Sequence, residues 1–241
     1  MRARSIDPVR PARSGVEDGL AYALWLPPGA DRAPAAGVVI LHGAGSCKES
    51  HYDFARAAIA LGLAALSFDQ RGHGESDGPM DARALDDVAA IASLLRRELG
   101  DPAAPLALRG SSMGGYLAIL AAERVRASAV VAICPASSGG LRRGLRDGSL
   151  RFDADVEALE ALLLAGELQP AVESLAAPLL LLHAQGDEQV PVQHSRELAA
   201  AFHSPGSRLI ELPGGHHRSI QHDEELQAVS LRFIERALGV R

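Results

Sequence analysis

The sequence predicts an α/β fold with a mostly parallel central sheet, and three observations carry that prediction. Short apolar, β-branched runs alternate with longer segments of helical spacing. Several helical segments end on glycine or begin on acidic residues, as helix ends prefer. The 241 residues are enough for one domain with a large core and short for two ordinary ones. No internal repeat, long low-complexity linker or break in composition marks a second domain.

In chain order, GVVILHG (37–43) is a β-branched run closed by glycine. FARAAIALG (54–62) has helical spacing and a glycine stop, and LAALSFD (63–69) reads as a buried strand. Residues 81–100 form a long amphipathic helix, acidic at its start and basic towards its end. PLALRGS (105–111) is a strand, MGGYLAILAAERV (113–125) a helix and SAVVAICP (128–135) a strand. APLLLLHAQGD (177–187) is strongly strand-like, 192–203 is helical, SRLIELPG (207–214) is a strand and 223–239 is the final helix. Such alternation gives a sheet covered on both faces, with sites at the carboxyl ends of its strands.

Composition narrows the function. Apolar residues make up 47% and charged residues 22%, interspersed as in a soluble globular chain. A net charge of −6 makes binding to a nucleic-acid backbone unexpected. The basic N-terminus, MRARSIDPVRPARSG, has no apolar stretch behind it, so no secretory signal is expected. No window approaches the roughly 18 apolar residues of a membrane span. Cys47 and Cys134 lack zinc-ligand spacing and are expected to be reduced thiols of a cytoplasmic protein.

Gly110-Ser111-Ser112-Met113-Gly114 fits G-x-S-x-G at a strand-to-helix junction. A sharp turn there strains the serine and leaves no room for bulky neighbours. The following helix points its N-terminal amides at the site, where negative charge develops. A serine hydroxyl needs a base, and the base an orienting carboxylate. Asp187 is the first carboxylate after one later strand, with Glu188 its rival; Gly186 favours Asp187 by letting the chain turn. The loop GGHHRS after the next strand offers His216 and His217. The Met113 amide, next after the serine, is one oxyanion donor.

Five stretches carry a family resemblance: LHGAGSCKE (41–49), FDQRGHGES (68–76), GSSMGG (110–115), HAQGDEQVP (183–191) and PGGHHR (213–218). From about residue 20 onward the chain resembles the α/β-hydrolase superfamily. It is most similar to small serine esterases of the dienelactone-hydrolase-like and feruloyl-esterase-like kinds. The resemblance implies a catalytic triad of Ser112, Asp187 and His217, with His216 as a neighbour of the base. It implies the Ala44 amide as the second oxyanion donor and loop-shaping roles for His42 and His73. Dienelactone hydrolases use a cysteine nucleophile, so their narrow substrate is not carried over.

No metal or cofactor is expected. His216, His217 and His222 do not share a helical face, and H-E-x-x-H, Walker A and Rossmann motifs are absent. The interval of about 137–176 leaves room for a small cap: a polar loop, LRRGLRDGSLRF, then one amphipathic helix, then a short turn or helix. A small cap suggests short or compact acyl groups. Arg142, Arg143, Arg146 and Arg151 could attract an anionic substrate or serve as solvated surface. The expected activity is hydrolysis of a small-molecule carboxylic ester through an acyl-enzyme. A thioesterase, peptidase or carbon–carbon bond hydrolase on the same triad is the alternative, and a non-catalytic binding protein the more distant one.

Overall fold

The structure, a computed structural model, describes residues 9–29 and 33–240. Residues 1–8 of the basic N-terminal stretch lie outside the described residues. The strands are β1 (Arg13–Glu17), β2 (Leu20–Trp25), β3 (Gly37–Leu41), β4 (Ala64–Phe68), β5 (Leu106–Ser111), β6 (Ala129–Ile133), β7 (Leu179–Ala184) and β8 (Arg208–Leu212). They form one sheet in the order β1-β2-β4-β3-β5-β6-β7-β8. From β4 to β8 all neighbours are parallel, while β2 runs antiparallel to both β1 and β4.

The helices are α1 (Tyr52–Ala60), α2 (Ala84–Leu99), α3 (Met113–Ala121), α4 (Ser138–Arg146), α5 (Val156–Ala165), α6 (Leu168–Ser174), α7 (Val192–Ala200) and α8 (Glu224–Leu238). Strands β3 to β7 are buried along their whole length, which explains their continuous apolar runs. Side chains alternate between two layers. Ile40, Ala107 and Val131 face Phe54 of α1 and Ile234 of α8, while Val39, Leu108 and Val130 belong to the layer of α2 and α3. Each buried Val, Leu or Ile contributes on the order of 1.5–3 kcal/mol.

Three local differences have physical causes. The antiparallel hairpin β1–β2 adds an edge to the expected sheet. Its two-residue turn, Asp18-Gly19, has φ of 50° and 78°, the left-handed pair that an Asp-Gly hairpin turn demands. The helix expected to reach residue 125 stops at Ala121, and the chain turns out through Arg126 at φ 50°. The interval between β6 and β7 holds three helices, and the stretch read as a polar loop begins inside α4. The Ser137 side chain accepts from the Gly140 amide and caps α4, and Leu141 is buried in the core layer that includes α5. Packing overrides the poor helix propensity of its glycines.

Candidate active site

The sharp turn at Ser112 follows from the close passage of α3 over β5. Ser112 has φ 52° and ψ −117°, a conformation that costs about 1–3 kcal/mol for a side-chain-bearing residue. The surroundings hold it there. Its amide donates to Ile133 O at 2.9 Å, and its carbonyl accepts from Tyr116 and Ala136. A methyl group on Gly114 would sit 2.4 Å from Leu41 O, so only glycine lets α3 approach β3 this closely.

Ser112, Ala44, Gln189, His217 and Gln221 line one cavity of about 360 Å³ at the carboxyl ends of the strands. Asp187, just beyond β7, is buried behind it. Its Oδ2 accepts from His217 Nδ1 at 2.7 Å, and its Oδ1 accepts from the amides of Gln189 and Val190, each at 2.9 Å. Because Nδ1 carries the proton, the lone pair of His217 sits on Nε2. Among the described residues no hydrogen bond joins the Ser112 hydroxyl to His217. Glu188 and His216 are both exposed. Gly186 does not have a positive φ; it is needed because a methyl group there would lie 2.4 Å from Gly215 O, where the acid and histidine loops touch.

Burial alone would raise the Asp187 pKa. Hydrogen bonds from His183, His217 and the Val190 amide win, and hold it well below the ordinary carboxylate range. A depressed carboxylate stabilises the fold above its unfolded pKa, about 3.9, and that contribution drains away as pH falls. Asp187→Asn should therefore flatten the acid side of the stability curve. Urea midpoints measured between pH 6 and pH 3 are expected to fall less steeply than for the unaltered chain.

The sequence pattern assigns His183 no role, although a histidine ending a run of four leucines is a signal. Its ring is fully buried, with Nδ1 2.7 Å from Ser195 Oγ, and Nε2 2.9 Å from Val190 O and 3.4 Å from Asp187 Oδ2. It donates from Nε2 and so buttresses the turn that carries Asp187. Cys134, His183 and Asp187 are the only group with metal-ligand proximity among the described residues, with ligand atoms within 4.8 Å. The donor set does not suit an ion. The His183 Nε2 proton is given to a carbonyl, and burial raises the Cys134 thiol pKa far above its ordinary value.

The loop after β3 is shaped by two histidines. His42 Nδ1 donates to Gly43 O at 2.8 Å, and its Nε2 accepts from the Gln70 amide at 3.0 Å. Burial, then neighbouring His73, pulls the His42 pKa down to about 4, so the ring is neutral. His73 Nε2 accepts from the Gly45 amide at 3.1 Å. Lys48 anchors the far end of the loop on Asp69 and Glu75 at 2.8 and 2.6 Å. Between these ties the amide of Ala44, like that of Met113, has no hydrogen-bond acceptor among the described residues. The cap arginines divide: Arg142 and Arg146 pair with Glu160, while Arg151 lines the cavity.

A family model described as "serine aminopeptidase, S33" matches residues 32–147. The monoacylglycerol lipase of Mycolicibacterium smegmatis is 27% identical over 252 residues, covering 86% of this chain and 88% of its own. The uncharacterized protein YfhR of Escherichia coli O157:H7 is 27% identical over 239 residues, covering 92% of this chain and 79% of its own. Among solved structures, ferulic-acid-bound Est1E from Butyrivibrio proteoclasticus superposes with a TM-score of 0.70 at 22% identity, covering 95% of this chain and 98% of that one. The monoacylglycerol lipase of Paleococcus ferrophilus superposes with a TM-score of 0.69 at 21% identity, covering 91% and 98%. The chain has the α/β-hydrolase fold, and the proteins it is similar to in sequence include a monoacylglycerol lipase.

Proposed function

We propose that this hydrolase is a serine esterase in which Ser112 is the nucleophile, His217 the base and Asp187 its orienting partner. One observation carries the reading: a strained serine and an aspartate-bound histidine share one cavity. Ser112 Oγ bonds to the ester carbonyl carbon as its proton passes to His217 Nε2. The negative oxygen is received by the amides of Ala44 and Met113. His217 returns the proton to the departing alcohol. Water then attacks the acyl-enzyme by the same route, releasing the acid and restoring Ser112. That no hydrogen bond joins Ser112 to His217 among the described residues is ordinary for a site that tightens on substrate. The chemistry draws on side chains and backbone alone, and the expectation of no cofactor is retained.

The chain is read as one domain with residues 137–176 as its cap. Leu141, Ser149, Leu150 and Arg151 from this interval line the Ser112 cavity, which supports the reading. Beneath the cap, Met80, Met113, Tyr116, Leu150 and Phe152 surround apolar space of only about 10 Å³. That favours short or compact acyl groups on a small-molecule ester. Two free cysteines fit a cytoplasmic setting, and no helix among the described residues is long and apolar enough to cross a membrane. A p-nitrophenyl ester series from acetate to decanoate tests the acyl preference. Acetate to butyrate should give the highest kcat/KM, and a maximum at octanoate or decanoate would contradict the compact site. The aminopeptidase wording of the matching family model keeps an amidase as second reading. Turnover of p-nitroanilides in place of esters would select it.

A further inference from the structure

A buried cation stands three residues before Ser112. Arg109 lies in the middle of β5 with 1% of its surface exposed, yet among the described residues it forms no ion pair with a carboxylate. Its Nη2 donates to the backbone carbonyl of Gln221 at 3.0 Å. Its Nη1 lies 3.4 Å from His51 Nδ1, and its guanidinium stacks 3.9 Å from the centre of the Phe54 ring. Its Nε has no acceptor among the described residues. Burial pulls its pKa down to about 10, against the opposing pull of the Asp53 charge.

A buried charge of this kind costs the fold several kcal/mol, and an apolar side chain of similar length would pack the layer better. The strand neighbours facing the same layer are Ala107, Ile40 and Val131. The charge therefore needs another reason. Its strongest contact is to Gln221, four residues after His217 and itself in the lining of the Ser112 cavity. The same carbonyl also accepts from Gln227 Nε2 of α8 at 3.2 Å. Gln227 and His222 both bond Asp53 Oδ2 of α1, at 2.7 and 2.9 Å, and His222 stacks on His51. The histidine-bearing loop thus ends on a polar knot whose link to the serine-bearing strand is Arg109.

We propose that Arg109 is a positioning residue, a strut that ties the strand bearing Ser112 to the loop bearing His217. The proposal rests on the reading of Ser112 as nucleophile and His217 as base. Arg109 touches neither substrate nor reacting atoms. It holds their carriers at a fixed separation, where an error of about 1 Å costs on the order of 10²-fold in rate.

The test compares the unaltered chain with Arg109→Met and Arg109→Lys by p-nitrophenyl acetate kinetics, melting temperature and amide hydrogen exchange. Arg109→Met should lower kcat about 10- to 100-fold with KM within about twofold. Its Tm should stay within about 3 °C of the original or rise, a shift of about 1 kcal/mol at this size. Exchange should quicken in peptides covering 214–222. Arg109→Lys, which keeps a charged donor, should recover part of the lost kcat. A merely structural arginine gives the opposite pattern: a lower Tm with kcat per folded molecule unchanged. That pattern, or unchanged exchange across 214–222, overturns the strut. Failure of Arg109→Met to fold also overturns it, because the charge would then be a condition of the fold. If the unaltered chain turns over no ester, the esterase reading fails first, and the exchange measurement still decides on the strut.

Discussion

Ser112→Ala is expected to lower kcat on p-nitrophenyl acetate by about 10⁵–10⁶-fold while leaving the melting curve close to the original. The size follows from what is lost. Without the hydroxyl no acyl-enzyme forms, and the residual rate is what oxyanion donors and binding give to direct attack by water. The fold should tolerate the change, because the turn is fixed by backbone bonds from Ser112 N and O, not by its side chain. Alanine carries the same burden of positive φ as serine. A large fall in Tm would mean that the hydroxyl serves the fold, and a mutant with a tenth of the original rate would remove Ser112 from the chemistry.

The adjacent histidines should separate almost completely. His217→Ala is expected to cost about as much as Ser112→Ala, because nucleophile and base act as a unit. His216→Ala should keep kcat/KM within about twofold. Only His217 is joined to Asp187, at 2.7 Å, and only His217 lines the cavity, while His216 points to an exposed loop surface. Equal losses in the two variants would mean that the loop exchanges one imidazole for the other during turnover. Steady-state kinetics of the paired mutants decides this.

Much of the fold is legible because parallel strands buried on both faces leave unbroken apolar runs. Runs of this kind announce β3, β5 and β7 to within three residues. The hairpin β1–β2 is less visible. Leu20–Trp25 is buried along its length, but Ala, Tyr and Trp in a short stretch next to a basic segment do not stand out, and the Asp18-Gly19 turn is the only clear signal. Helix α4 is hidden for another reason: its glycines and arginines read as loop, and only burial of Leu141 and the Ser137 cap make it helical.

The site divides in the same way. Ser112, Asp187 and His217 each follow an apolar strand, and the strand-end rule for parallel sheets points to all three. Asp187 and His217 are joined by a hydrogen bond, and Ser112 lies in the same cavity as His217. His183 and Arg109 are polar residues inside apolar strands, a visible oddity whose purpose is not local. Arg109 meets its acceptor 112 residues along the chain, and His183 acts through a carbonyl and the hydroxyl of Ser195 on α7. Sequence marks such residues as strange; only the folded chain supplies their partners.

The most direct test of the account is intact-protein mass spectrometry after exposure to a small fluorophosphonate, with the labelled peptide then sequenced. The account predicts one phosphonyl group per chain, carried on Ser112, with no label on Ser112→Ala and markedly slower labelling of His217→Ala. A fully folded chain that takes no label, or carries it equally well without the Ser112 hydroxyl, would contradict it.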